Sequence, residues 1–204
     1  MAYFPMFINL QGKNCLIVGG GVVAERKVKV MKDFGLQVTV AAPFIQPRII
    51  NEMQVAAVFE DFSPSMLDNR DIVIAATDDK NLNGEIAKLC RERNIPVNAV
   101  DSAEDSTFIF PSYIKKGEVV AAFSSSGQSP VITQYLKEKN RDILTSEVAE
   151  ISAYLGSIRQ NVKDRTEYES ERRVIFAEIL KFALNEGRIP TQEETEDIIR
   201  GVIE

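Results

Sequence analysis

A chain of 204 residues with 45% hydrophobic and 26% charged side chains is composed like an ordinary globular protein and can bury a sizeable core. A net charge of −6 with no basic stripe argues against nucleic-acid binding, and no apolar run approaches a membrane-spanning length, so the cytoplasm is the expected location. Histidine is absent, which removes the usual general base, the commonest metal ligand and every His-dependent triad.

Met1 to Leu10 is apolar but lacks the basic start and small-residue cleavage site of a signal peptide, and reads as an N-terminal strand added to a sheet. Cys15 to Val18 is apolar without a break, as in a parallel strand covered on both faces. It leads into Gly19, Gly20 and Gly21. Gly19, Gly21 and Ala24 have the G-x-G-x-x-A spacing of a dinucleotide-binding turn. Ala24, Val28 and Met31 then recur at helical spacing up to Gly35, a natural stop. Strand before and helix after favour the dinucleotide reading over a plain tight turn.

Gln37 to Ala41 is the second strand. It ends in Ala41-Ala42-Pro43, without the acid that often grips the ribose hydroxyls, and Arg48 is weak evidence for a 2′-phosphate. Pro43 and Phe44 suit the adenosine side. A short helix (46–51), a weak strand (55–59) and a helix-start signal at Ser63-Pro64 follow. Asp71 to Ala76 is a further strand, and Asp78 or Asp79 caps a helix whose apolar face is Leu82, Ile86 and Leu89. The loop Ala76–Asp78, with Thr77 at its centre, lies where doubly wound sheets place ligands. Ile95 to Val100 is a strand that delivers Asp101 at its carboxyl end, and an apolar run closes at Phe110. Cys15 and Cys90 read as small buried hydrophobes.

Strands alternating with helices predict an α/β Rossmann-type, doubly wound parallel sheet over residues 1–112. Lys115-Lys116-Gly117 then reads as a turn and Glu118 to Ser124 as a strand with no crossover helix before it. A polar loop, Ser124 to Ser129, meets Pro130 at a helix start. Residues 113–144 are too few to bury a core of their own, and their strand edge predicts a dimer arm. Residues 145–204 form a helical C-terminal domain. It shows an apolar stripe at Val148, Ile151, Leu155, Ile158 and Val162, an apolar-rich helix ending near Gly187, and a capping-box pattern at Thr191 and Glu194.

Asp101 is the foremost chemical candidate. Its plain reading is a strand-end turn or cap. Its functional reading is a proton acceptor and hard metal ligand on the same sheet edge as the glycine loop. Asn98 either orients a polar substrate group or satisfies backbone. The Ser124–Ser129 loop is either a polar linker or an anion site at a helix N-terminus.

Taken together, FPMFINLQGKNCLIVGGGVVAERK, IAATDD, VNAVDSAEDSTFIFPS and FSSSGQSPV resemble, in order and spacing, the dehydrogenase/chelatase module of siroheme synthases. The resemblance covers roughly residues 1–139 and implies NAD-dependent oxidation of precorrin-2 to sirohydrochlorin. In some members it also implies insertion of Fe²⁺, or of Co²⁺. It places Gly19, Gly21, Val22 and Val23 at the cofactor and Pro43-Phe44 on its adenosine side, with Thr77 expected there from the position of its loop. Asp101 falls on the family aspartate, as base and, in a chelatase, transient metal ligand. The resemblance also implies a homodimer, and Asn98, Ser124 and Ser125 are the residues expected to meet such a polycarboxylate substrate. The alternatives are a dehydrogenase without chelatase activity and, from another class, a non-enzymatic NAD-sensing regulatory module.

Overall fold

In a computed structural model of the chain, which describes residues 3–204, the run Asn14–Val18 forms β1 at the centre of a five-stranded parallel sheet. Around it lie α1 (Val22–Asp33), β2 (Gln37–Ala41), α2 (Pro47–Met53), β3 (Ala56–Val58), a 3₁₀ turn (Pro64–Leu67), β4 (Ile72–Ala75), α3 (Lys80–Glu92) and β5 (Val97–Ala99). The strand order is β3-β2-β1-β4-β5. Cys15 lies in register with Val38 on one side and Ile72 on the other, Val18 with Ala41 and Ala75. Helices cover both faces, so the central strands are apolar throughout rather than alternating. Cys15, Ile17 and Ile74 pack with Ala24, Val28, Met31 and Ile49 on one face, and Leu16, Val18 and Val73 with Ile86, Ala87 and Cys90 on the other. Burial pushes the Cys15 thiol up to about 12 and the Cys90 thiol up to about 11. Both are therefore inert packing groups at neutral pH.

The chain winds outward from β1 through β2 to β3, then returns to β4 and β5 on the other side. The direction reverses between β1 and β4. In open α/β sheets the carboxyl ends of such a strand pair are the ligand crevice.

One expectation is corrected. Residues 3–10 form no strand (Met1 and Ala2 lie outside the described residues), and Phe4, Met6, Phe7 and Ile8 are exposed. A turn at Gly12 (φ +72°) separates them from β1, with the Lys13 N–H donating to Leu10 O at 3.1 Å. The apolar run Thr107 to Phe110 is irregular. Phe108 and Phe110 pack against the α1 face of the core.

The first compact unit ends at Phe110 and the second is Pro111–Glu204. The second opens with an antiparallel hairpin, β6 (Ser112–Lys116) and β7 (Val119–Phe123). Lys115 and Lys116 are not turn residues but pair with Val120 and Val119, and the turn is set by Gly117 at φ +55°. Helices α4 (Pro130–Asn140), α5 (Ser146–Ser157), α6 (Arg159–Arg165), α7 (Glu169–Glu186) and α8 (Gln192–Ile203) follow. The Ser112 hydroxyl donates to Thr133 Oγ1 at 3.1 Å, joining β6 to α4. The apolar stripe from Val148 is shared by α5 and α6, which break at Ile158. Val162, Ile175, Ile179 and Ile199 form the helical core.

The capping box is present. The Thr191 hydroxyl accepts from the Glu194 N–H at 3.2 Å, and the Glu194 carboxylate accepts from the Thr191 N–H at 2.7 Å. Hydrogen bonds from Arg188 first, and then from the Thr191 N–H, hold the Glu194 carboxyl down at about 2, against an ordinary 4.5. A depressed carboxyl contributes stability above its unfolded value and loses it as pH falls toward its folded one. Glu194→Gln is therefore expected to unfold more readily than wild type at pH 7. The gap should close as pH drops from about 4.5 toward 2, as followed by urea unfolding at each pH. A gap independent of pH would contradict this account.

Candidate active site

The three glycines do different work. Gly19 leaves β1 at φ +122°, and a Cβ there would lie 2.2 Å from the Ala76 carbonyl oxygen. A Cβ on Gly20 would lie 2.1 Å from the Phe44 carbonyl oxygen. The loop is thus clamped between the segments that follow β4 and β2. The Gly19 N–H donates to Ala41 O at 2.9 Å and the Gln46 N–H to Gly20 O at 3.0 Å. Gly21 is different. It has ordinary extended angles (φ −90°, ψ −168°) and open space where a Cβ would stand.

Gly21 is also the N-cap of α1, with no side chain capping the helix. Bare N–H groups, the positive end of the helix dipole and an empty approach are what a pyrophosphate requires, so the loop fits a dinucleotide. Val22 and Val23 at the helix start are exposed, as are Pro43 and, at 71%, Phe44. They border the cradle with apolar surface. Neither of the usual adenosine-side charges is available. Ala41 is buried with no acid in its place, and Arg48 is held by Glu25 at 3.1 Å and Glu52 at 2.9 Å. Lys27, one turn into α1, lies 3.5 Å from the Phe110 ring centroid. Burial, then the neighbouring Arg26, push its ammonium down to about 8, while the ring face pulls the other way.

Beyond β4, Asp79 caps α3, its carboxylate accepting from the N–H groups of Asn81 and Leu82 at 2.8 and 3.2 Å. Thr77 precedes it, tied to Asn83. The Thr77 N–H donates to Asn83 Oδ1 at 3.1 Å, its hydroxyl donates to the same oxygen at 2.8 Å, and Asn83 Nδ2 donates to Thr77 O at 3.0 Å. The second Nδ2 hydrogen reaches Asp101 Oδ1 at 3.1 Å. Asp101 itself is exposed, in the turn after β5. Asn98, 7% exposed within β5, donates its amide to Phe108 O at 3.0 Å and Ser106 Oγ at 3.4 Å, which braces the strand end beneath Asp101.

Gly19, Gly21, Thr77 and Asp101 therefore stand at the carboxyl ends of β1, β4 and β5 in one unit. Ser124 and Ser125 belong to the other unit, in the turn before α4. The Ser125 hydroxyl accepts from the Ser129 N–H at 2.9 Å, that of Ser124 from the Ser126 N–H at 3.1 Å, and Ser129 caps α4 through Ile132 N–H at 3.3 Å. Among the described residues no three carboxylates or thiols cluster as a metal site.

Asn83 escaped sequence reasoning. The buried face of α3 is Asn83, Ile86, Ala87 and Cys90, rotated from the face expected through Leu82 and Leu89. An asparagine in phase with that apolar stripe was the available signal.

A glycine turn with an open helix N-terminus, set at the switch point of a parallel sheet, defines a dinucleotide-binding α/β unit. The family described as "Putative NAD(P)-binding" matches residues 6–112, and the chain belongs to it. The siroheme synthase of Methylobacillus flagellatus is 34% identical over 200 residues, covering 95% of this chain and 42% of that protein. The siroheme synthase of Sodalis glossinidius is 36% identical over 201 residues, covering 95% and 43%. The chain thus spans less than half the length of these relatives. Among solved structures, SirC, described as a precorrin-2 dehydrogenase, aligns with a TM-score of 0.73 at 21% identity, covering 98% of both chains. The Rossmann-type sheet with C-terminal helices and the resemblance to siroheme synthases both stand on these findings.

Proposed function

We propose that the chain is an NAD-dependent precorrin-2 dehydrogenase that forms sirohydrochlorin in the cytoplasm. The observation that carries this reading is the open pyrophosphate cradle at Gly21 on the same sheet edge as Asp101, whose carboxylate is held by a buried amide. The siroheme synthase relatives support the substrate. Oxidation removes two electrons and two hydrogens from the reduced tetrapyrrole. NAD, when bound, supplies the acceptor for the hydride. Asp101 accepts the proton, so one carboxylate suffices in a chain without histidine. Gly19, Gly21, Val22, Val23 and Thr77 hold the cofactor, with Pro43 and Phe44 on its adenosine side. Asn98 supports the Asp101 strand end. Ser124, Ser125 and the α4 N-terminus meet substrate carboxylates.

Residues 113–144 serve as the arm of a homodimer. The paired but otherwise open hairpin and the exposed Val131, Ile132, Tyr135 and Leu136 of α4 support this. A second activity, insertion of Fe²⁺ or Co²⁺ into sirohydrochlorin with Asp101 as transient ligand, is favoured by the likeness to siroheme synthases.

Anaerobic incubation of the chain with precorrin-2 and NAD, followed by absorbance, should yield sirohydrochlorin and NADH together. No sirohydrochlorin would sink the dehydrogenase reading and return the field to a cofactor-sensing module. Adding Fe²⁺ or Co²⁺ to sirohydrochlorin in the same cuvette separates a bifunctional enzyme from a dehydrogenase alone.

A further inference from the structure

We infer that Asn83 is a positioning residue that locks the Asp101 carboxylate to the cofactor loop at Thr77, so that hydride acceptor and proton acceptor are registered through one buried amide. The inference rests on the dehydrogenase reading and deepens it. Asn83 is 1% exposed, and its capacity is filled. Oδ1 accepts twice from Thr77, while Nδ2 donates once to Thr77 O and once to Asp101 Oδ1. An asparagine amide has two donors and two acceptor sites, so none is left over.

The destination of the fourth bond carries the argument. Three bonds already fix the Thr77 loop over the start of α3. The fourth leaves that loop and crosses to a different strand end, 18 residues on in sequence. Its acceptor is an exposed carboxylate, which water would solvate without help. Holding an exposed side chain in one orientation costs rotamer entropy and returns little stability, whereas a reacting group must be held to within a fraction of an ångström. One oxygen of Asp101 is pinned. The other, Oδ2, makes no hydrogen bond among the described residues and is the oxygen left to take a proton. Because α3 is packed through Ile86, Ala87 and Cys90 into the sheet core, the amide is anchored to the rigid part of the unit rather than to a loop.

Asn83→Ser tests this, since serine keeps a hydroxyl for Thr77 but is too short to reach Asp101. In precorrin-2 oxidation by the full chain, kcat is expected to fall about 10- to 100-fold while KM for NAD stays within about threefold. In an Asp101→Ala background the same change should lower kcat little further, because the link to Asp101 is already gone and only bonds to Thr77 remain to be lost. Losses that multiply in the double variant, or an unchanged kcat, would overturn the assignment. Asn83→Asp refills the volume and exchanges the donor for an oxygen, and it serves the same comparison if the serine variant unfolds.

A substrate-free arm separates this inference from the dehydrogenase reading. With ¹³Cγ-labelled aspartate, and Asp101→Asn to assign the signal, NAD is expected to move the Asp101 resonance in the wild type and not in Asn83→Ser. Equal movement in both, or movement in neither, would overturn the linkage. A wild type that oxidises no precorrin-2 yet shows Asn83-dependent movement would sink the dehydrogenase reading and leave the linkage standing.

Discussion

Gly19→Ala is expected to lose about 3 to 5 kcal/mol of stability, whereas Gly21→Ala should unfold within about 0.5 kcal/mol of wild type and bind NAD at least about tenfold more weakly. The two glycines sit two residues apart in one motif, and the difference comes from what surrounds them. At Gly19 the backbone stands at φ +122° and the new methyl would overlap the Ala76 carbonyl at 2.2 Å. The strained angle and the overlap each cost about 1 to 3 kcal/mol. Ala76 cannot yield easily, since it is buried and its N–H is bonded to Val18 O at 2.7 Å. That loss is a large share of the 5 to 15 kcal/mol typical of a domain. At Gly21 the angles suit any residue and the space is open. Alanine is a slightly poorer N-cap than glycine, but it restricts the unfolded chain, and the two effects nearly cancel. The added methyl then matters only to a ligand that needs the backbone bare. Denaturant unfolding and calorimetric titration with NAD separate the effects. Wild-type affinity in Gly21→Ala would mean that no pyrophosphate lies over that residue.

That contrast shows where sequence reading reaches and where it stops. The parallel sheet was legible because its strands are apolar on both faces, and Cys15–Val18 announces burial without any partner being known. The glycine spacing announced a cradle. It did not say that Gly20, outside the motif pattern, is as tightly enclosed as Gly19, because that enclosure comes from Phe44, far along the chain. Asp101 was legible as an acid at a strand end. Asn83 was not, because an amide inside a helix pattern looks like surface until the helix phase is fixed by packing. The β6 strand was missed for a related reason. Its one buried residue is Ile114, and Tyr113 and Ile114, side by side between Ser112 and two lysines, carry no alternation to read. The N-terminal segment failed in the opposite sense, since its apolar sequence promised a strand and residues 3–10 form none.

Asp101→Asn is expected to lower the rate of precorrin-2 oxidation by about 10²- to 10⁴-fold, the span usually supplied by a positioned proton acceptor. The amide is nearly isosteric, and its oxygen can still accept from Asn83 Nδ2, so the geometry around Thr77 should persist. What disappears is an oxygen able to take a proton, and no histidine stands near to replace it because the chain contains none. Stability should be close to wild type, since the side chain is exposed and buries no apolar surface. NAD affinity should also hold, since Asp101 reaches the cofactor loop only through Asn83. Asp101→Asn therefore fails in kcat, Gly21→Ala in NAD binding and Gly19→Ala in folding, three different failures from one edge of the sheet. Anaerobic turnover with saturating NAD, alongside titration of NAD binding, distinguishes them. An Asp101→Asn variant that oxidised precorrin-2 at the wild-type rate would show that the proton leaves by another route. If such a variant still lost metal insertion into sirohydrochlorin, Asp101 would be a metal ligand and not the base.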